Sequence, residues 1–320
     1  MNFCEKTTAR FNSSNKQNQI KYFVYTPKSV KNGKQPKGML QLVHGMAEHI
    51  ERYEPYIDFL TSKGYLVYGD NHLGHKGSVT CDEDLGYFAD RDGWKYLIED
   101  EVQLTQIMKE KYPDLPVYLY GHSMGSFITR LYMVQYAALI DGVIISGTAG
   151  KNRGVPVLIS LTKFLSKMRG IRYRSNLVNQ LMFGPFNSKY KEVHTGFDWL
   201  TQDAEIVHQY VEDPYGGFTF TYGGFYDLQM LLQQVTADTW YNKIPVQLPM
   251  LIISGEQDPV GNWGKGIKEI DQKIKQLSCQ DYEMRLFPNM RHEIHNELEK
   301  QQVWDYVVSW LDNRCKAEEN

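Results

Sequence analysis

A serine hydroxyl is a poor nucleophile until a base takes its proton, and that base works best when an acid fixes its tautomer and steadies its charge. The chain offers all three parts. Gly121-His122-Ser123-Met124-Gly125 fits Gly-x-Ser-x-Gly and stands between an apolar run, Pro116 to Tyr120, and a helix-period run. In that context the pattern presents a serine from a strand-to-helix turn, and the glycines on either side are expected to let the backbone turn without a Cβ clash. Ser123 is the candidate nucleophile; the competing reading is a helix N-cap. After LPMLIIS comes Gly255-Glu256-Gln257-Asp258-Pro259, with Asp258 the candidate acid and Glu256 the runner-up; as a residue before proline, Asp258 also fits an ordinary turn. After YEMRLF comes Pro288-Asn289-Met290-Arg291-His292-Glu293, which puts His292, the candidate base, in the next such loop. His295 competes with it and is expected to open the last helix. The carboxyl ends of parallel strands are where sites gather in open α/β sheets.

Attack on a carbonyl also builds negative charge on its oxygen, which calls for two N–H donors. Met124, directly after Ser123, supplies one. The loop His44-Gly45-Met46-Ala47-Glu48-His49, after the run MLQLV, supplies the second at Met46. His44 and His49 lack a third ligand at zinc spacing and read as structural. His292-Glu293-Ile294-His295 is one residue short of His-Glu-x-x-His. Neither glycine-rich phosphate pattern occurs, and Gly261 to Gly266 has the wrong spacing, so no nucleotide cofactor and no metal is expected.

Groups so far apart in sequence need a rigid scaffold. Short apolar runs alternate with amphipathic ones, which predicts strand-helix-strand units, a mostly parallel central sheet and an α/β fold. The strand candidates are Ile20 to Tyr25, Gly38 to Val43, Tyr65 to Tyr68, Pro116 to Tyr120, Gly142 to Ser146, Leu248 to Ser254 and Tyr282 to Phe287. The helix candidates are Tyr53 to Lys63, Trp94 to Lys111, Ser123 to Tyr136, Trp263 to Leu277 and Leu298 to Leu311. Between about Lys151 and Tyr241 the alternation stops, and helix-period patches rich in Leu, Met and aromatics are broken by Gly-Gly pairs. A helical cap over residues 151–240 is therefore expected, inserted into a core made of 1–150 and 241–320. The tail after Asp312 reads as disordered.

The 320 residues, 42% hydrophobic and 23% charged, are those of a globular chain and exclude disordered, collagenous and coiled-coil readings. The net charge of −3 suggests no nucleic-acid partner and argues against electrostatic docking on anionic lipid. No apolar run approaches the roughly 18 residues of a membrane span. MNFCEKTTARFNSSNK lacks the apolar core of a secretory signal, so the cytoplasm is the expected address. Cys4, Cys81, Cys279 and Cys315 are scattered and read as free thiols.

Taken together, VHGMAEHIERY, GDNHLGHKGS, YGHSMGS, FDWLTQD, SGEQDPV and FPNMRHEIHNE resemble the monoacylglycerol lipase and lysophospholipase branch of the α/β-hydrolase superfamily, also labelled serine aminopeptidase-like, over nearly the whole chain. The resemblance implies the α/β-hydrolase fold, a set of Ser123, Asp258 and His292, and an oxyanion hole at Met46 and Met124. One departure is the loop Asp70 to Ser78, where the family has Asp-x-x-Gly-His-Gly-x-Ser; that loop is structural in the family. The apolar cap points to a small-molecule ester with one acyl chain, a monoacylglycerol or lysophospholipid, with transient contact at lipid surfaces. A peptidase reading needs a cap carboxylate for the substrate's ammonium, for which Glu205, Glu212 and Asp213 are available. A third reading is a hydrolase-fold binding protein without turnover.

Overall fold

Eight strands pair into one sheet in the computed structural model, which describes residues 3–31 and 33–315. They are β1 (Cys4–Asn12), β2 (Gln19–Pro27), β3 (Met39–Val43), β4 (Leu66–Asn71), β5 (Val117–His122), β6 (Gly142–Ser146), β7 (Met250–Gly255) and β8 (Tyr282–Phe287). The order is β1-β2-β4-β3-β5-β6-β7-β8, antiparallel through β1, β2 and β4 and parallel from β4 onward. Every residue of β3, β5, β6 and β7 is buried, as strands covered on both faces must be.

The helices are α1 (Lys28–Lys31), α2 (Glu54–Ser62), α3 (Gly93–Lys111), α4 (Met124–Tyr136), α5 (Val155–Arg169), α6 (Asn176–Phe183), α7 (Ala204–Glu212), α8 (Tyr222–Thr236), α9 (Asp238–Tyr241), α10 (Lys265–Lys275) and α11 (Lys300–Cys315). Alternate residues of each strand face opposite layers. Leu40, Leu42, Tyr118 and Ile253 pack with Tyr56 and Leu60 of α2 and Val303 and Val307 of α11. Val43, Leu119, Ile145 and Ile252 pack with Leu97 of α3, Ile128 of α4, Leu231 of α8 and Ile270 of α10.

All seven expected strands are present, and β1 is an addition. Its residues are exposed except Cys4 and Phe11, so it carries almost no apolar alternation to read. The last helix runs past Asp312 to Cys315, which corrects the expected tail; residues 316–320 lie outside the described residues. His295 lies in a short turn, Ile294–Asn296, ahead of α11 rather than opening it.

Between β6 and β7 the chain leaves the sheet and forms α5 to α9. Gly223 and Gly224 do not break a helix there but begin α8, because a Cβ on Gly224 would stand 2.0 Å from the Gly86 carbonyl oxygen. Both ends of this insert are tied to α4 through Arg130, only 1% exposed. Its guanidinium donates to Ala149 O at 3.0 Å and Val235 O at 2.5 Å, and its own carbonyl accepts from Trp240 Nε1 at 2.8 Å. Among the described residues no helix is long and apolar enough to cross a membrane.

Candidate active site

Ser123 sits between the last residue of β5 and the first of α4, with φ +54° and ψ −119°. That backbone is costly for a residue with a Cβ. Its amide donates to Ser146 O of β6 at 3.0 Å and its carbonyl accepts from Ser126 N at 2.9 Å, which holds the turn. The flanking glycines serve close approach rather than unusual dihedrals. A Cβ on Gly121 would meet Thr129 Oγ1 and one on Gly125 would stand 2.0 Å from Val43 O; α4 thus leaves the sheet pressed against the end of β3.

Asp258, fully buried, follows β7. Its Oδ1 accepts from Val260 N at 2.8 Å and its Oδ2 from Ser254 Oγ at 3.2 Å. His292, 1% exposed after β8, brings Nδ1 to 3.0 Å from Asp258 Oδ2, an ion-pair distance without hydrogen-bond alignment. Its Nε2 has no partner among the described residues. Ser123 and His292 line one cavity of about 690 Å³. Burial opposes charge on the imidazole, but Asp258 first, then Glu293 and Glu48, outweigh it and raise the His292 pKa above 6.5.

The alternatives fall elsewhere. Glu256 is exposed. His295 stacks on Tyr53 with ring centroids 4.6 Å apart, and burial first pulls its pKa down to about 3. It is absent from the cavity wall.

Met46 and Met124 also line the cavity. Gly45 N donates to Glu48 Oε1 at 2.5 Å and Ala47 N to His75 Nε2 at 3.2 Å. Met46 N between them donates to no group among the described residues, and Met124 N opens α4, where an amide has no intrahelical acceptor.

The sequence reading passed over the groups that hold these loops. Arg52 makes two 2.8 Å bonds to Glu293, the neighbour of His292, and one of 2.5 Å to Glu48 in the Met46 loop. One cation thus joins both loops. Tyr53 OH donates to Glu48 Oε1 at 2.9 Å. Burial works against the Glu293 charge, but Arg52 holds its pKa down to about 2, whereas burial raises that of Glu48. The available signal was Glu48 four residues before Arg52.

His44, Asp70 and His72 come within 4.8 Å of one another, a geometry that could hold a cation. The ring nitrogens are already engaged. His44 Nε2 accepts from His72 N at 3.0 Å, so Nδ1 carries the proton and faces Gly45 O. His72 Nδ1 meets Asp70 and Glu101, and Nε2 donates to His44 O. Burial opposes its charge, yet Asp70 and then Glu101 lift the His72 pKa to about 10. The departing loop Asp70 to Ser78 thereby props the strand end beneath Met46. His49 lies between Glu51 at 2.9 Å and Asp213 of the insert at 2.7 Å.

The cavity combines apolar walls from Phe127, Leu158, Met182, Phe183 and Leu228 with the half-buried Ser123 and the carboxylate-backed imidazole of His292. These define the class: an α/β-hydrolase with the layout of an ester hydrolase. Residues 34–299 match the model of Hydrolase_4, described as serine aminopeptidase, S33, and the chain belongs to that family. It is 28% identical over 301 residues to the monoacylglycerol lipase of Mycolicibacterium smegmatis, covering 92% of each chain. A thermostable carboxyl esterase from Bacillus coagulans, solved in complex with glycerol, superposes with a TM-score of 0.89 at 29% identity, covering 97% of this chain and 99% of that one. A soluble variant of monoglyceride lipase from Saccharomyces cerevisiae gives a TM-score of 0.76 at 18% identity, over 98% and 96% of the two chains, and shows the shared fold. The chain is a hydrolase of the monoglyceride lipase branch.

Proposed function

We propose that the chain hydrolyses glycerol esters of a single acyl chain through an acyl-enzyme on Ser123, with residues 151–240 acting as the cap that receives the acyl chain. His292 takes the Ser123 proton as Oγ attacks the ester carbonyl, Asp258 steadies the imidazolium, and the N–H groups of Met46 and Met124 receive the oxyanion. His292 then gives its proton to the leaving alcohol and activates the water that releases the fatty acid. The observation that carries this reading is His292, backed by Asp258 at 3.0 Å, in the wall of the cavity that Ser123 also lines. A volume of about 690 Å³ suits one acyl chain with a small head group, and the relatives named for monoacylglycerol favour glycerol over a phosphorylated head group.

The peptidase reading rests on the family's description and on a carboxylate for an ammonium. Of the cavity-lining acids among the described residues, Glu48 and Glu293 are both paired with Arg52, leaving Glu269. Asp213 is paired with His49. The test is turnover of monoacylglycerols, lysophospholipids and aminoacyl amides, by the parent and by Ser123→Ala. Monoacylglycerols are expected to turn over fastest, and Ser123→Ala to lose several powers of ten. Unchanged ester hydrolysis in the variant, or a parent that a fluorophosphonate fails to label, defeats the reading.

A further inference from the structure

One carboxamide interrupts the apolar wall of the cavity. Gln229 of α8 stands between Leu228 and Leu232, and all three line the space that Ser123 also lines. Gln229 is fully buried, and so is Thr162 of α5, its partner across the helix pair. Met182 of α6, another wall residue, touches the same side chain. Three helices of the insert therefore meet at an amide, where a leucine or methionine would pack without the cost of stripping water from a polar group. The charged wall residues Lys151, Arg153 and Glu269 are all exposed, so Gln229 is not part of that polar rim.

A glutamine side chain offers two N–H donors and one carbonyl acceptor. Both donors are used: Nε2 donates to Thr162 Oγ1 at 3.0 Å and to Met182 Sδ at 3.5 Å. Oε1 receives no hydrogen bond from any described residue. Turning the amide over would set its oxygen against the Met182 sulfur, acceptor against acceptor, so the hydrogen-bond pattern itself fixes which end is which. The unmatched group is therefore an acceptor, and whatever completes it must bring a donor.

On the reading that this cavity receives the acyl chain of an ester, we infer that Gln229 is a specificity-determining residue: its Oε1 accepts a hydrogen bond from a hydroxyl group carried partway along the acyl chain, so the site takes hydroxylated acyl esters in preference to plain ones. A plain chain lies over Oε1 and leaves it unmatched, at the full cost of an unsatisfied buried acceptor. A keto group brings a second acceptor and does no better. A hydroxyl supplies the missing donor and keeps the alkyl segments on either side of it against Leu228, Leu232 and Met182. Those neighbours suit an alkyl chain rather than a glycerol, which places the donor on the acyl part of the ester and not on the alcohol.

The experiment uses the intact protein with monoacylglycerols and methyl esters of a single chain length, in which a hydroxyl moves along the acyl chain carbon by carbon, and with the plain and keto chains beside them. At one position or two adjacent ones, kcat/KM is expected to exceed that of the plain chain by about tenfold or more, the worth of matching one buried acceptor. The keto chain is expected to show no gain. Q229M is expected to bring the hydroxyl-to-plain ratio to about one, and T162V/Q229M, which removes both polar partners and orphans neither, to do the same at the parental thermal midpoint. Binding of the free hydroxylated and plain fatty acids to Ser123→Ala, followed by calorimetry, is expected to show the same preference, and S123A/Q229M to lose it, without any turnover. A binding preference with no ester hydrolysis by the parent defeats the proposed chemistry and leaves the inference standing, whereas ester hydrolysis with no favoured hydroxyl position overturns the inference alone. A gain that survives in Q229M and T162V/Q229M also overturns it. So does a Q229M variant that slows plain glycerol esters but not plain methyl esters, because the donor is then the glycerol.

Discussion

Replacing Arg52 with methionine removes the one cation that two buried carboxylates share. Arg52 is 10% exposed at its side chain, Glu48 3% and Glu293 2%, so water cannot take over the charge. Breaking a buried pair from one side costs about 3–5 kcal/mol, a large part of the 5–15 kcal/mol that folded chains typically hold. The thermal midpoint is expected to drop by roughly 4–7 °C. The loss has a pH signature. In the parent, Glu293 is held near 2, so its contribution is present above the unfolded carboxylate pKa and is lost as pH falls toward 2. In the variant both carboxylates are pushed above their unfolded values, so their protonated forms favour the fold at low pH and the penalty grows as pH rises. The deficit between variant and parent is therefore larger at pH 8 than at pH 5. Denaturant titrations at the two pH values measure it, and the triple neutral variant R52M/E48Q/E293Q is expected to recover most of the stability. A deficit below about 1 kcal/mol at pH 8, or one that is larger at pH 5, refutes the assignment of Arg52 as the shared counter-ion.

The kcat/KM of ester hydrolysis is expected to rise with a midpoint above pH 6.5, because neutral His292 is the proposed base and its pKa is raised; a flat profile or a midpoint at or below 6.5 counts against it. Asp258→Asn is expected to lower turnover by about 10⁴-fold, whereas Glu256→Gln at its exposed position changes it less than twofold; a reversed order reassigns the acid. Gly125→Ala puts a methyl 2.0 Å from Val43 O and is expected to cost about 3 kcal/mol or more. Gly184→Ala, with open space around it and negative φ, is expected to stay within about 1 kcal/mol of the parent in the same denaturant titration.

The parallel core was legible because fully buried strands are continuous apolar runs: MLQLV, GVIIS and LPMLIIS need no alternation to be read. Strand ends were less so. β4 runs on through Gly69, Asp70 and Asn71, and the two polar side chains are tolerated inside a core because Asp70 meets His72 and Asn71 bonds Ile50 N, Lys76 O and Glu51. β1 was invisible because an edge strand dominated by exposed polar residues looks like any solvated segment. Ser123, Asp258 and His292 stood out because each follows a strand candidate within five residues. The Arg52 link did not, since it joins positions 241 residues apart in sequence and no local pattern records such a pairing.

The two walls of the insert are anchored unequally. From Asp198 to Tyr241 it is stitched to the core by Arg291 on the Asp198 carbonyl, by Tyr210 on Ala47, by His49 on Asp213 and by Arg130 at its far end. From Val155 to Lys191 the ties to the core are sparser: Tyr190 on Gln257 O, Arg172 on Asp84 and Arg174 on Glu83 O. On the proposed function, a departing fatty acid would leave between one bank held to the core at many points and one held at few.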